Sequence, residues 1–274
     1  FYMLSIDVIS KIVLTTFSKY TVGKIGTFVA QHYKGNEKKK LKETSKVLET
    51  HFTDIINWSS RIQFVGMSTP KMTNQSSVEL TVLNKYRKYD GNSGQCCKMT
   101  ETDLIVGNDN FIVFGDPGAG KTTTMKRLLS KFLLDEKLQK EAKVKFPILV
   151  RLREVNIPNI YAHIAEITGL SYVTREIKHS NGVAQTRYYI GDELIQNAIP
   201  IFLNEIDALI IIDGFDELKT GFKEVVSKQI AMLGRKLGSA KIILTCRFGE
   251  DVSQFNEFTF CQIEKLTKHQ VRSI

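Results

Sequence analysis

Residues 115 to 122 read Gly115-Asp116-Pro117-Gly118-Ala119-Gly120-Lys121-Thr122, which fits the spacing G-x-x-x-x-G-K-[ST]. The spacing answers a chemical need. Glycines let a backbone turn tightly enough for successive amide N–H groups to surround phosphate oxygens. A helix that begins directly after such a loop points its positive end at the same anion. The Lys121 ammonium can reach β- and γ-phosphates, and the Thr122 hydroxyl can ligate Mg²⁺. Thr123 follows at the helix start, so Gly115 to Thr123 form the expected phosphate-contacting set. The chemistry implied is that of a nucleoside di- or triphosphate held with Mg²⁺.

A second acidic site lies downstream. Leu209-Ile210-Ile211-Ile212-Asp213 reads as a buried strand ending in a carboxylate, the arrangement that holds Mg²⁺ beside a phosphate loop. It continues as Gly214-Phe215-Asp216-Glu217-Leu218, which adds two acids within one turn. Asp216 or Glu217 can orient or deprotonate an attacking water; the plainer reading is an acidic helix start. The third piece, Lys241-Ile242-Ile243-Leu244-Thr245-Cys246-Arg247, is a strand ending in a cation. The fixed charge and forked donors of Arg247 suit a γ-phosphate.

These groups need a scaffold that brings strand ends together. Phe111–Phe114, Ile148–Val150, Leu209–Ile212 and Ile242–Leu244 are continuous apolar runs, as strands buried on both faces of a parallel sheet are. Helical patterns lie between them. Met125, Leu128, Leu129, Phe132 and Leu133 recur at i, i+3, i+4, i+7, i+8, and Val225, Val226, Ile230 and Leu233 form a second stripe with Gly238 suited to stopping it. The alternation predicts an α/β fold, a mainly parallel sheet flanked by helices. Before it, Val47, Leu48, Phe52, Ile55 and Ile56 predict an amphipathic helix within residues 36 to 64. Ser68 to Gln75 reads as a polar linker, Val78–Val82 as a half-exposed strand, and Asp90–Gly94 as a break. Residues 161 to 200 carry no clear pattern apart from a turn at Ser180-Asn181-Gly182.

The chain has 274 residues, 42% hydrophobic and 24% charged, with a formal net charge of +9. This is globular composition, neither disordered nor fibrous. No stretch approaches the ~20 apolar residues of a membrane helix. The apolar opening from Phe1 to Ala30 is broken by Asp7, Lys11, Lys19 and Lys24, which predicts an amphipathic helix or helix pair and not a signal peptide. Cys96, Cys97, Cys246 and Cys261 form neither a disulfide framework nor a metal site, and the five histidines have no ligand spacing. A reducing, cytoplasmic location is the expectation. The run Lys38-Lys39-Lys40 with Lys42 and Lys46 can touch nucleic acid, although a solvated helix face is its commoner meaning.

Taken together, the three site segments resemble the NACHT domain of the STAND class of P-loop NTPases. The mark is Asp213-Gly214-Phe215-Asp216-Glu217, in which a small residue follows the magnesium aspartate and an acidic pair comes later. Phe146 to Glu154 is similar to the strand after the family's first helix, and Ile263-Glu264-Lys265-Leu266-Thr267 to the lead into its helical and winged-helix modules. The resemblance covers roughly residues 95 to 265. It divides the chain into a mostly helical N-terminal region with an extended arm (1–94), the NTPase (95–262) and the start of a further module (263–274). The N-terminal region is similar to those of bacterial NACHT proteins associated with phage defence. The resemblance implies a switch: an ADP-bound closed monomer, and an ATP-bound form that self-associates when a phage-derived or other trigger is sensed. It also implies slow hydrolysis, since no separate arginine finger can be assigned.

Two other classes compete. An AAA+-like remodeller or helicase motor would use the same loop, but Gly214 after Asp213 and the absence of further helicase-like motifs argue against it. A nucleic-acid-binding module would rest on the net charge and the lysine run alone, without a zinc finger or aromatic-rich basic sheet.

Overall fold

The computed structural model describes residues 23–30, 37–62, 69–73, 82–84, 97–170, 176–180, 183–187 and 192–264. Its strands are β1 (Arg61–Ile62), β2 (Lys71–Met72), β3 (Val82–Asn84), β4 (Cys97–Met99), β5 (Asn110–Phe114), β6 (Phe146–Arg151), β7 (Glu176–Ser180), β8 (Val183–Arg187), β9 (Ala208–Asp213), β10 (Lys241–Cys246) and β11 (Phe258–Ile263). A seven-stranded sheet has the order β4-β3-β11-β5-β10-β9-β6. From β11 to β6 every pairing is parallel, while β3 and β4 add antiparallel at one edge.

The expected α/β fold is therefore present. The continuous apolar runs are its parallel strands, and burial on both faces explains why they do not alternate. Ile210, Ile211, Ile212, Ile242, Ile243 and Leu244 are all fully buried. The helix Lys121–Leu134 presents Met125, Leu128, Leu129, Phe132 and Leu133 to the core. In the helix Lys223–Lys236, Val226, Ile230 and Leu233 are buried, but Val225 is 44% exposed and lies off the expected stripe. Gly238 is not the stop. The Leu237 N–H closes on the Gly234 carbonyl, and Asn204 Oδ1 accepts the N–H groups of Gly238, Ser239 and Ala240 at 2.9, 3.3 and 3.2 Å. That side chain sets the entry into β10.

The N-terminal region contributes a helix over 23–30 and a long helix, Glu37–Ser60, in which Leu48, Phe52, Ile55 and Ile56 are buried. Lys38 and Lys39 are exposed on this helix. The segment expected as a linker holds β2, paired antiparallel with β1. The strand expected over Val78–Val82 is found from Val82 onward; residues 78 to 81, 90 to 94 and 1 to 22 lie outside the described residues. β3 and β4 stand on either side of the boundary expected at residue 94 and share one sheet. In the stretch without a clear pattern, the structure places the helix Ile160–Ile167, the antiparallel hairpin β7–β8 flanking Asn181-Gly182, and the helix Asp192–Glu205.

Two polar contacts fix the helices around the sheet. Arg127, on the helix Lys121–Leu134, forks its guanidinium onto the Glu101 carboxylate, with Nε 2.8 Å from Oε2, and both groups are largely buried. On the other edge, β6 is the last strand of the sheet among the described residues. The Leu149 N–H is taken instead by His51 Nε2 at 3.2 Å, from the helix Glu37–Ser60. Only neutral imidazole can accept there, and burial with the nearby Arg151 and His163 lowers the His51 pKa from 6.5 to about 4.

The depressed value makes stability depend on pH. The unfolded chain takes up this proton near pH 6.5 and the folded chain only near about 4. Stability is full above the first value and declines as pH falls through the window, on the order of 3 kcal/mol at the most. We expect the urea midpoint to drop from about pH 7 to about pH 5, and His51→Gln to flatten that drop. His163, lowered by burial as well, leaves a smaller residual slope. A profile identical in parent and His51→Gln contradicts the assignment.

Candidate functional site

The sheet order brings three strand ends together. β10 lies between β5 and β9, with Cys246 beside Phe114 and Leu244 beside Ile212. The loop after β5, the Asp213 end of β9 and the Thr245–Arg247 end of β10 therefore meet at the carboxyl ends of the central strands. This is the crevice at the carboxyl ends of parallel strands where α/β proteins bind ligands.

Two of the loop's amides are spent on holding its shape. Gly115 N–H is tied to the Cys246 carbonyl at 3.3 Å, and Ala119 N–H to the Asp116 carbonyl at 3.0 Å. Asp116, Pro117 and Gly118 are exposed, and Ala119 and Gly120 half-buried. Gly120 has φ 88° and serves as the N-cap of the helix Lys121–Leu134, a left-handed conformation that a side chain would strain. With no capping side chain, the N–H groups of Lys121, Thr122 and Thr123 are left as donors at the positive end of the helix. Lys121 folds over the loop, its Nζ donating to the Gly115 carbonyl at 2.8 Å and the Asp116 carbonyl at 3.3 Å. Burial lowers its pKa; Asp216 opposes that shift and Arg247 adds to it.

Across from the loop, the Thr122 hydroxyl donates to Asp213, 3.0 Å from Oδ2 and 3.3 Å from Oδ1. Asp213 Oδ1 also accepts from the Thr245 hydroxyl at 2.7 Å. Gly214 takes φ 82°, where a Cβ would meet the Glu217 carboxylate at 3.0 Å; the small residue after Asp213 is required by this turn. The turn runs Phe215–Glu217 as a short 3₁₀ helix. Glu217 is exposed, whereas the Asp216 side chain is 6% exposed and pairs with Arg247 Nε at 2.6 Å. The second Asp216 oxygen, Oδ1, is buried without a hydrogen-bond partner among the described residues.

All the residues singled out in the sequence thus gather here: the loop 115–120, Lys121, Thr122 and Thr123, Asp213, Asp216, Glu217 and Arg247. Arg247 is engaged by a carboxylate and is not a free cation. Thr122 and Asp213 offer hard oxygen donors at one point, the set that suits Mg²⁺. The buried, unpartnered Asp216 oxygen lies in the field of Lys121, and the loop offers unspent N–H donors. These residues fit a magnesium nucleotide. Cys246 is fully buried, and burial raises its thiol pKa well above the ordinary value. Among the described residues no group of His, Cys, Asp and Glu suits a separate metal ion, and no helix is long and apolar enough to cross a membrane.

Two contributors were not singled out in the sequence. Thr245 is fully buried and joins β10 to Asp213; its signal was a hydroxyl interrupting an aliphatic strand. Lys126 lies one turn after Thr122, donates to the Arg61 carbonyl at 2.9 Å and sits 5.3 Å from the Trp58 ring centroid. Burial lowers its pKa, opposed first by Asp213. Its i+4 spacing from Thr122 was the available clue. The strand expected over Phe146–Glu154 ends at Arg151 and passes into a 3₁₀ turn, Leu152–Glu154, so Arg151 stands beside Asp213 in register.

A family model described as the NACHT domain matches residues 109–274, more than half of the chain. No curated protein matches it.

Proposed function

The chain belongs to the NACHT family of STAND-type P-loop NTPases, and from that premise we propose that it is an ATP-operated molecular switch: ADP-bound and off, ATP-bound, self-associated and on. The observation that carries the reading is the 3.0 Å contact between Thr122 Oγ1 and Asp213 Oδ2. It joins the phosphate loop to the acidic strand at one point. Lys121 and the loop amides would bind the β- and γ-phosphates, and Thr122 with Asp213 would hold Mg²⁺. The ion, when bound, neutralises phosphate charge and couples nucleotide state to conformation.

Arg247 would exchange its Asp216 partner for the γ-phosphate, so that the pair opens with ATP and closes with ADP. Asp216 and Glu217 would orient the attacking water and accept its proton. Hydrolysis would be slow and would act as the reset. The domain limits 1–94, 95–262 and 263–274 are part of this proposal, as are the trigger sensed elsewhere, the cytoplasmic setting and a role in bacterial defence against phage.

The test is Asp213→Ala. It should lose Mg²⁺-dependent ATP binding and, in cells, phage protection. Protection that survives the change rules out nucleotide switching as the mechanism.

A further inference from the structure

Thr245 is 0% exposed in a strand where, after Lys241, its companions are Ile242, Ile243, Leu244 and Cys246. Its hydroxyl makes two hydrogen bonds. It accepts the Gly214 N–H at 2.8 Å and lies 2.7 Å from Asp213 Oδ1. A backbone N–H can only donate and an ionised carboxylate can only accept, so the single hydroxyl proton is committed to Asp213. The β-branched side chain has little torsional freedom in a packed strand. One rigid donor therefore occupies Oδ1, and the Thr122 hydroxyl lies nearer to Oδ2, at 3.0 Å, than to Oδ1, at 3.3 Å. Thr245 Oγ1 also holds the amide of Gly214, whose φ 82°, ψ 57° starts the turn bearing Asp216 and Glu217.

We propose that Thr245 is the positioning residue of this site: its hydroxyl sets the rotation of the Asp213 carboxylate and pins the turn that follows. It touches neither nucleotide nor metal and acts through Asp213. The proposal rests on the magnesium-nucleotide reading above. Groups that orient a metal ligand from behind typically change metal affinity about 10- to 100-fold when removed, and that is the scale expected here.

The experiment compares the parent with Thr245→Val, which keeps shape and removes the hydroxyl, and with Thr245→Ser, which keeps the hydroxyl. Binding of a fluorescent ATP analogue is titrated against Mg²⁺ and repeated in EDTA. The Val variant should need at least about 10-fold more Mg²⁺ for half-saturation, with its EDTA affinity unchanged, and Ser should restore the parent value. Thr245→Ala, with room for a water, is measured in the same way if Val does not fold. Equal Mg²⁺ dependence in parent and Val overturns the positioning role alone. Losing the EDTA affinity as well, or failing to fold in both Val and Ala, makes the hydroxyl a structural group and also overturns it. A parent that binds the analogue with no Mg²⁺ dependence overturns the site reading itself.

Discussion

Lys121→Ala should lose tight ATP binding while keeping its fold. A hydrogen bond to a charged group is worth about 1.5–3 kcal/mol, and every 1.4 kcal/mol is tenfold, so the dissociation constant should rise about 10- to 100-fold. The fold should survive because, among the described residues, the Lys121 ammonium donates only to the loop's own carbonyls, Gly115 at 2.8 Å and Asp116 at 3.3 Å. Alanine also suits the first turn of a helix, and Gly120 shapes the loop without help from the lysine. Calorimetric titration and thermal unfolding of the same sample separate the two effects. Unchanged affinity in a folded variant removes Lys121 from the site.

The second large effect concerns the acidic pair. Neutralising it as Asp216→Asn/Glu217→Gln should slow hydrolysis by about 10²- to 10⁴-fold, the usual contribution of a positioned acid or base. Binding of Mg²⁺–ATP should be largely kept, since Thr122, Asp213 and Lys121 are untouched. A switch that cannot reset would stay in its ATP form, giving larger oligomers and impaired growth in cells that express the protein. A motor needs repeated turnover, and the same change would silence it. The geometry divides the pair further. Asp216 holds Arg247 at 2.6 Å, while Glu217 is exposed. Glu217→Gln alone should therefore slow turnover with Arg247 still paired, whereas Asp216→Asn should also free Arg247 and favour the ATP form. A quiet, monomeric double variant that binds ATP as well as the parent contradicts the switch and reinstates the motor.

The site was legible where chemistry imposes both residue type and spacing. The loop 115–122 cannot bend without its glycines, and Asp213 ends a run of four aliphatic residues because β9 is buried between β10 and β6. The same burial made β5, β6 and β10 visible. Partners across the chain were less visible. Nothing in the local sequence says that Arg247 meets Asp216 or that Thr245 reaches Asp213, because only the strand order places β10 between β5 and β9. The helix Ile160–Ile167 was obscured by its eight residues, too few for a sustained stripe. The helix Asp192–Glu205 was obscured by Pro200 in its interior. Its C-terminal end and the start of β10 are set by Asn204, a tertiary contact without a sequence signature. β3 and β4 are three residues each, and they become strands through antiparallel pairing beside β11.

The central claim is that the loop 115–123 and Asp213 form one magnesium-nucleotide site, and the most direct measurement is the nucleotide content of the gently purified protein. Mild purification in Mg²⁺, followed by denaturation and chromatography of the released small molecules, should yield close to one ADP or ATP per chain. Prior washing with EDTA should reduce that yield. A folded protein that releases no nucleotide and does not bind ATP when titrated at millimolar concentration with Mg²⁺ would contradict the account.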